Sequence, residues 1–306
     1  MGAAIGFDAE RDGGVCADTL NPMKIGINTF IWSAQFTEAQ VPLLPRIKAA
    51  GFDGIECAVF DPAAFESKLL RRILPEHGLE LTCCGVIPGG MSLIDADATV
   101  RANGIDYMRA AIAAAAEAGA KILAGPYYSP VGYLPGRRRT DAEWHNAVDS
   151  WKALGPVLAA HDVTLAVEPL NRFETFFLNL ADDAARLCEA VNHPNVGILF
   201  DTFHANIEEK NIADGYRRVA PWLKHVHTCE NDRGTPGSGH VEWDEVFRAL
   251  RDIHYDGWLT IESFSSQVPE IASAAAVWRD FASPIDDIAF AGVRFLRERW
   301  AATSGR

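Results

Sequence analysis

The chain has 306 residues, 48% of them hydrophobic and 10% aromatic, which is enough to bury the core of one large domain or of two ordinary ones. Its net charge of -13 would repel nucleic-acid phosphates and anionic membrane surfaces, so neither is expected as a main partner. A small molecule or a cation is the better expectation.

The beginning of the chain differs from the rest. Residues 1–22 are rich in Gly, Asp and Ala and lack hydrophobic periodicity, so we predict a flexible N-terminal tail there and a single domain over 23–306. No signal-peptide pattern is present, and no apolar run approaches the ~20 residues of a membrane span. Six cysteines without CxxC spacing fit reduced thiols, and a cytoplasmic location is expected.

From residue 24 onward, short apolar runs alternate with longer amphipathic ones. The predicted strands are KIGINTF (24–30), GIECAV (54–59), LTCCGV (81–86), KILAG (121–125), VTLAVE (163–168), VGILFD (196–201), KHVHT (224–228) and WLTIE (258–262). The segments between them have helical spacing, and 277–300 is predicted to end the chain with a helix over the outer wall or against a dimer partner.

This alternation predicts an α/β fold, a (β/α)8 TIM barrel. A doubly wound parallel sheet shows the same alternation, but it typically carries a Gly-rich phosphate fingerprint after an early strand. Neither GxGxxG nor the P-loop pattern occurs in this chain, so the barrel is favoured.

The last four predicted strands each end at a possible metal ligand. These residues are Glu168, Asp201, His227 and Glu262. Each carboxylate alone could be a helix N-cap, but the carboxyl ends of barrel strands open on one face, so the four side chains are expected to converge. A set of carboxylates with one imidazole suits Mn²⁺, Mg²⁺ or Co²⁺. His225 shares the inward face of its strand and is expected to pack behind this site.

Three further polar residues follow these positions on predicted βα loops, where substrate contacts are usually made: Glu174, His204 and Arg233. The same residues could equally be a loop carboxylate, a helix-start histidine and a solvated arginine. The loop at 231–240, NDRGTPGSGH, is rich in glycine and could approach a ligand through its backbone. Candidates for a pocket wall, or else for core or subunit contacts, are Phe30, Trp32, Tyr127, Tyr128, Cys84 and Gly85.

Five segments, VEPLNRFET, LFDTFHANIEE, HVHTCENDRGTPGSGHVEWDEV, GWLTIESF and VWRDF, together resemble the ketose 3-epimerases. These are the D-tagatose 3-epimerase and D-psicose (allulose) 3-epimerase group of the xylose-isomerase-like TIM barrels. The resemblance covers about residues 23–300 and is most specific over 165–280. It implies a divalent metal, Mn²⁺ first and Co²⁺ or Mg²⁺ otherwise, a ketose substrate, and a homodimer or homotetramer.

By motif, the resemblance assigns the metal ligands to Glu168, Asp201, His227 and Glu262 and the substrate contacts to Glu174, His204 and Arg233. Deprotonation at C3 of a ketose needs stabilisation of the C2 oxygen, and inversion needs a base on each face. Glu168 and Glu262 are the expected acid/base pair.

Other functions remain open from the sequence. They are an aldose–ketose or inosose-type isomerase or dehydratase on the same barrel, a sugar-binding barrel without turnover, and metal-dependent phosphodiester hydrolysis. The last is disfavoured by the net charge of -13 and by the single clear histidine ligand.

Overall fold

The computed structural model describes residues 23–303, and their strands form one closed parallel barrel in the order β1 to β8. The strands are β1 (Lys24–Asn28), β2 (Gly54–Ala58), β3 (Glu80–Cys84), β4 (Ile122–Gly125), β5 (Thr164–Val167), β6 (Val196–Asp201), β7 (Leu223–His227) and β8 (Trp258–Ile261). β1 closes the barrel by pairing with both β2 and β8. The predicted (β/α)8 barrel is confirmed, whereas the predicted tail at 1–22 lies outside the described residues.

The strand ends agree with the predictions to within two residues. β1 is shorter than predicted because the side chain of Asn28 accepts a hydrogen bond from Phe30 N and caps a 3-10 helix, Thr29–Ile31. β5 ends one residue before Glu168, although the Glu168 N–H still donates to Gly125 O on the neighbouring strand at 3.2 Å. Glu168 is therefore held by the sheet while its side chain lies beyond the strand.

Ten α-helices occur within residues 23–303. They are α1 (Leu44–Ala49), α2 (Ser67–Glu76), α3 (Ala98–Ala118), α4 (Asp141–His161), α5 (Ala181–Val191), α6 (Thr202–Glu208), α7 (Ile212–Val219), α8 (Trp243–Asp252), α9 (Pro269–Ala274) and α10 (Asp286–Ala302). The predicted C-terminal helix begins only at Asp286, and α10 packs against α8 and β8 on the outer wall. None of these helices combines the length and apolar character that a bilayer span requires.

The interior of the barrel is divided into an apolar half and a polar half. Side chains alternate along a strand, so every second residue faces the lumen. On β4, β5 and β6 the inward residues Ala124, Ala166 and Leu199 form a small apolar cluster. On β2 and β7 the inward residues include Glu56 and His225, both fully buried. The polar half lies directly below the face on which the βα loops open.

Candidate active site

Four possible ligands meet at the carboxyl ends of the last four strands. Glu168 follows β5, Asp201 ends β6, His227 ends β7 and Glu262 follows β8. Each offers one ligand atom, and these atoms all lie within 4.8 Å of one another. All four residues are buried, with Glu262 the most exposed at 8%. The closed barrel thus gathers donors that are up to 94 positions apart, from 168 to 262, at one point.

The unpaired atoms in this cluster fit a divalent cation. Glu168 Oε1 and His227 Nδ1 are buried and have no hydrogen-bond partner among residues 23–303. His227 Nδ1 lies 3.4 Å from Glu262 Oε2. Buried polar atoms without a partner are costly, and a cation shared by three carboxylates and one imidazole would satisfy them together. The donor set therefore fits Mn²⁺, Mg²⁺ or Co²⁺.

The electrostatics of the cluster indicate the same fit. Burial and the charges of Glu262 and Asp201 hold the pKa of Glu168 well above its usual value. Burial also raises the pKa of Asp201, although Arg233 opposes the shift. Burial alone would raise the pKa of Glu262, but His227 and Arg233 outweigh it and lower that pKa. Ionisation of all three carboxylates at these short distances is unfavourable without additional positive charge.

His204 lies beside this cluster as a neutral imidazole. Its Nδ1 accepts from the backbone N–H of Asn171 at 3.1 Å, and its Nε2 lies 3.2 Å from Arg233 Nη2, which is also a donor group. Burial and the charge of Arg233 hold the pKa of His204 well below its usual value. Its Nε2 lies 3.5 Å from Glu168 Oε1 and 3.8 Å from Asp201 Oδ2.

Asn171 also orients the carboxylate of Glu174. The side-chain amide of Asn171 donates to Glu174 Oε1 at 2.8 Å, while its backbone holds His204. One residue of the loop after β5 therefore positions two predicted substrate contacts. Asn171 could not be singled out from the sequence, because nothing in the local pattern shows which side chains it contacts.

Arg233 brings a permanent positive charge to the cluster. Its Nη1 lies 2.7 Å from Asp201 Oδ2 and 2.6 Å from Glu262 Oε2. The guanidinium lies over the ring of Phe203, 4.0 Å from the centroid. Its backbone has φ +66°, an uncommon conformation for a residue other than glycine. The Arg233 carbonyl accepts from Ser263 Oγ, which helps to hold this conformation.

The loop that carries Arg233 is folded around a buried carboxylate, that of Glu230. This side chain accepts from the backbone N–H groups of Asn231 at 3.1 Å, Gly237 at 2.8 Å and Val241 at 3.0 Å, and from Trp243 Nε1 at 3.0 Å. The Gly-rich segment therefore has a fixed shape, because its turns converge on one anchor. Arg233 is presented to the cavity from this anchored loop.

A cavity of about 480 Å³ opens above the cluster. At one end it is lined by Glu168, Glu174, His204, His227, Arg233 and Glu262, and elsewhere by glycine, cysteine and apolar residues that include Phe30, Cys84 and Gly85. The other predicted wall residues lie elsewhere. Trp32 donates from Nε1 to Asp286 on α10 at 2.7 Å, and Tyr127 and Tyr128 are buried in the core.

Glu56 is a second residue of this region that could not be singled out as a site residue from the sequence. It lies in the middle of β2, and its carboxylate contacts Nε2 of both His225 and His227 at 2.8 Å. Burial alone would raise the pKa of Glu56, but the two histidines lower it well below its usual value. The available signal was a single charged residue inside the apolar strand GIECAV. His225 lies below His227, as expected for a residue two positions earlier.

Comparisons with known proteins agree with this architecture. The family model described as "Xylose isomerase-like TIM barrel" matches residues 44–299. A "Probable ketose 3-epimerase" of Synechocystis sp. is 36% identical over 278 residues, covering 91% of this chain and 97% of that protein. A "D-psicose 3-epimerase" of Agrobacterium fabrum is 31% identical, covering 86% of this chain and 93% of that protein.

A solved structure shows the same likeness in three dimensions. The crystal structure of D-allulose 3-epimerase from Methylomonas sp. in complex with D-allulose superposes with a TM-score of 0.85 at 29% identity, covering 90% of this chain and 97% of that one. The likeness spans nearly the whole length of each protein. The chain therefore belongs to the xylose isomerase-like TIM-barrel family and, within it, to the ketose 3-epimerases, which are isomerases acting on sugars.

Proposed function

We propose that this protein is a metal-dependent epimerase that inverts C3 of a free ketose such as D-fructose, D-psicose, D-tagatose or ribulose. The observation that carries the proposal is the convergence of Glu168, Asp201, His227 and Glu262 within 4.8 Å. Three of the four, Glu168, His227 and Glu262, also line the cavity. The names of the related D-psicose and ketose 3-epimerases support the same reaction.

The four converging residues would hold a divalent ion, with Mn²⁺ the first candidate and Co²⁺ or Mg²⁺ the others. Bound there, the ion would act as a Lewis acid toward the oxygens at C2 and C3 of the sugar. The unpaired atoms Glu168 Oε1 and His227 Nδ1 support this assignment.

Glu168 and Glu262 would move the proton. The hydrogen at C3 is acidic because the neighbouring C2 carbonyl can take up the charge as an enediolate. Inversion then requires removal from one face of C3 and return on the other. Glu168 follows β5 and Glu262 follows β8, so the two carboxylates approach the cavity from different strands of the wall. Their roles would exchange with the epimer that is bound.

His204 and Arg233 would stabilise the developing oxygen charge. The neutral imidazole of His204 and the guanidinium of Arg233 both line the cavity. Donors that are already oriented cost no reorganisation when charge develops in the transition state. Glu174, held by Asn171, would accept from a sugar hydroxyl.

The lining of the cavity favours free sugars over phosphorylated ones. Among the described residues that line it, Arg233 is the one lysine or arginine, and its Nη1 is already paired with Asp201 and Glu262. A phosphate group usually requires an additional cation or a cluster of backbone N–H groups. The substrate is therefore proposed to be an unphosphorylated ketose.

Turnover in deuterated water tests the proposal. Metal-loaded protein is incubated with fructose, psicose, tagatose and ribulose, and products are identified by chromatography and NMR. We expect the C3 epimer to form with deuterium at C3. Deuterium confined to C1 would instead show aldose–ketose isomerisation, and binding without any exchange would show a sugar-binding protein.

A further inference from the structure

Glu56 places a carboxylate in the lumen of the barrel, directly below the candidate metal centre. It is fully buried, and it lies on β2, whereas its histidine partners lie on β7. In the closed barrel β8 and β1 separate these two strands. The contact therefore spans the lumen and does not follow from strand pairing.

Both carboxylate oxygens of Glu56 are fully engaged. Oε1 accepts a hydrogen bond from Asn28 Nδ2 at 3.1 Å and contacts His227 Nε2 at 2.8 Å. Oε2 accepts a hydrogen bond from Thr82 Oγ1 at 3.0 Å and contacts His225 Nε2 at 2.8 Å. All of these partners are donors to an ionised carboxylate, since the carboxylate can only accept. The proton of His227 that faces Glu56 therefore lies on Nε2.

Stability alone does not account for this arrangement. Burying a carboxylate is costly, and a buried ionic network can often be replaced by well-packed apolar residues with little loss of stability. The opposite half of the lumen is packed in that way, with Ala124, Ala166 and Leu199. What the carboxylate adds is a fixed orientation for two imidazole rings.

We propose that Glu56 is a positioning residue that holds His227 with its proton on Nε2, so that the Nδ1 lone pair points at the divalent ion. The inference rests on the proposed function, because it assigns Glu56 to that same metal centre. Nδ1 is the His227 atom that lies 3.4 Å from Glu262 Oε2 and has no hydrogen-bond partner in the described part of the chain. Carboxylates that accept from the remote nitrogen of a ligating histidine fix its tautomer and orientation.

His225 is the second histidine that the carboxylate of Glu56 holds. It is two residues before His227 on β7, so both rings lie on the same face of the strand. The two rings lie at 75° to one another with centroids 5.2 Å apart. Because one carboxylate binds both rings, neither can rotate without breaking a contact to Glu56.

The test compares Mn²⁺ affinity, measured by titration without any sugar, in wild type, Glu56→Gln and Thr82→Val. The glutamine keeps the size of Glu56 but must turn its amide N–H₂ toward one of the existing donors. We expect Glu56→Gln to bind Mn²⁺ about 10- to 100-fold more weakly. Thr82→Val is the matched control, since it removes one hydrogen bond to Oε2 and leaves Oε1 on His227, and it should change the affinity less than threefold.

A spectroscopic measurement on the wild type decides the case even where Glu56→Gln does not fold. In protein labelled with ¹⁵N-histidine and loaded with Mg²⁺, His227 should carry its proton on Nε2, with that proton shifted downfield by the carboxylate. A proton on Nδ1 would overturn the inference. So would a folded Glu56→Gln variant that binds Mn²⁺ within twofold of wild type.

The experiments distinguish a failure of this inference from a failure of the proposed function. A wild type that binds Mn²⁺ but epimerises no ketose would overturn the proposed function while leaving the role of Glu56 supported by the affinity difference. An active wild type whose Glu56→Gln variant keeps full Mn²⁺ affinity would overturn the role of Glu56 alone.

Discussion

The backbone N–H of Asn171 donates to His204 Nδ1 at 3.1 Å. The other ring nitrogen, Nε2, lies 3.2 Å from Arg233 Nη2, so the imidazole is held between two groups that can only donate. Burial and the charge of Arg233 hold the pKa of His204 well below its usual value. The ring that lines the cavity is therefore neutral and has a fixed direction.

Replacement of His204 should show whether catalysis needs a hydrogen-bond donor at this position or only a side chain of similar size. We expect His204→Leu to lower kcat by about 100- to 1000-fold, as for loss of one oriented donor to a developing oxyanion. His204→Gln keeps an N–H near the position of Nε2 and should retain more of the rate. The measurement is steady-state epimerisation of the best ketose. Equal rates for the two variants would argue against a donor role.

Replacement of the two glutamates should give opposite patterns of exchange. Glu168→Gln and Glu262→Gln should each lower epimerisation by about 100- to 10,000-fold, the range for loss of a general acid or base. With one base left, each variant should still exchange C3 hydrogen of one epimer, and the two variants should act on different epimers. NMR in deuterated water measures this.

The control for that experiment is Glu174→Gln, which neutralises a carboxylate of the same cavity. It should raise KM and leave exchange possible from both epimers. If Glu168→Gln and Glu262→Gln both exchanged the same epimer, the two-base assignment would have to be abandoned.

Metal removal should lower the thermal stability as well as the activity. A ligand that binds only the folded state adds about 2.7 kcal/mol to the free energy of unfolding at 100 times its Kd. We expect a chelator to lower Tm and Mn²⁺ to restore it. Asp201→Asn should abolish this response while keeping the helix cap that Asp201 Oδ1 makes to Phe203 N at 2.8 Å. A metal-induced Tm shift of wild-type size in this variant would place the ion elsewhere.

Loosening the loop that carries Arg233 should weaken substrate binding. Glu230→Gln leaves at least one of four convergent donors without an acceptor, at a cost of about 1–3 kcal/mol. We expect KM to rise more than kcat falls. Asp232→Asn makes the same chemical change in the same loop at a surface pair with Arg279, and it should leave both constants unchanged.

A glycine beside the cavity should be irreplaceable for steric reasons. Gly125 has φ +140°, and a Cβ there would clash with the Gly85 carbonyl oxygen. We expect Gly125→Ala to lower the free energy of unfolding by about 3 kcal/mol or more, within the range of strain at a special backbone conformation. Denaturant unfolding measures this change. The control is Gly89→Ala, because Gly89 lines the same cavity and has nothing within 4 Å of the new Cβ.

The outline of the fold was predictable because it depends on local patterns. Alternating strand and helix periodicities predict a barrel, and the six-residue strand Val196–Asp201 has the predicted bounds. The position of a polar residue at the end of each late strand is also local. Since parallel strands of one barrel end on one face, those positions predict convergence without any knowledge of distances.

The direction of individual side chains was not predictable in the same way. Trp32 and Tyr127 follow strands, as pocket residues would, but the first is tied to Asp286 and the second is turned into the core. Phe30, two residues from Trp32, does line the cavity. Such choices depend on neighbours contributed by α10 and by the adjacent strands, which no local pattern specifies.

The barrel and the ends of its strands followed from local sequence patterns, because hydrophobic periodicity and turn residues act over a few neighbouring positions. Which polar groups meet inside the barrel depended on its three-dimensional closure. The pairing of Glu56 with His225 and His227 joins positions 169 and 171 residues apart across the lumen. Closure and stagger of the strands set that contact, and they are properties of the whole barrel.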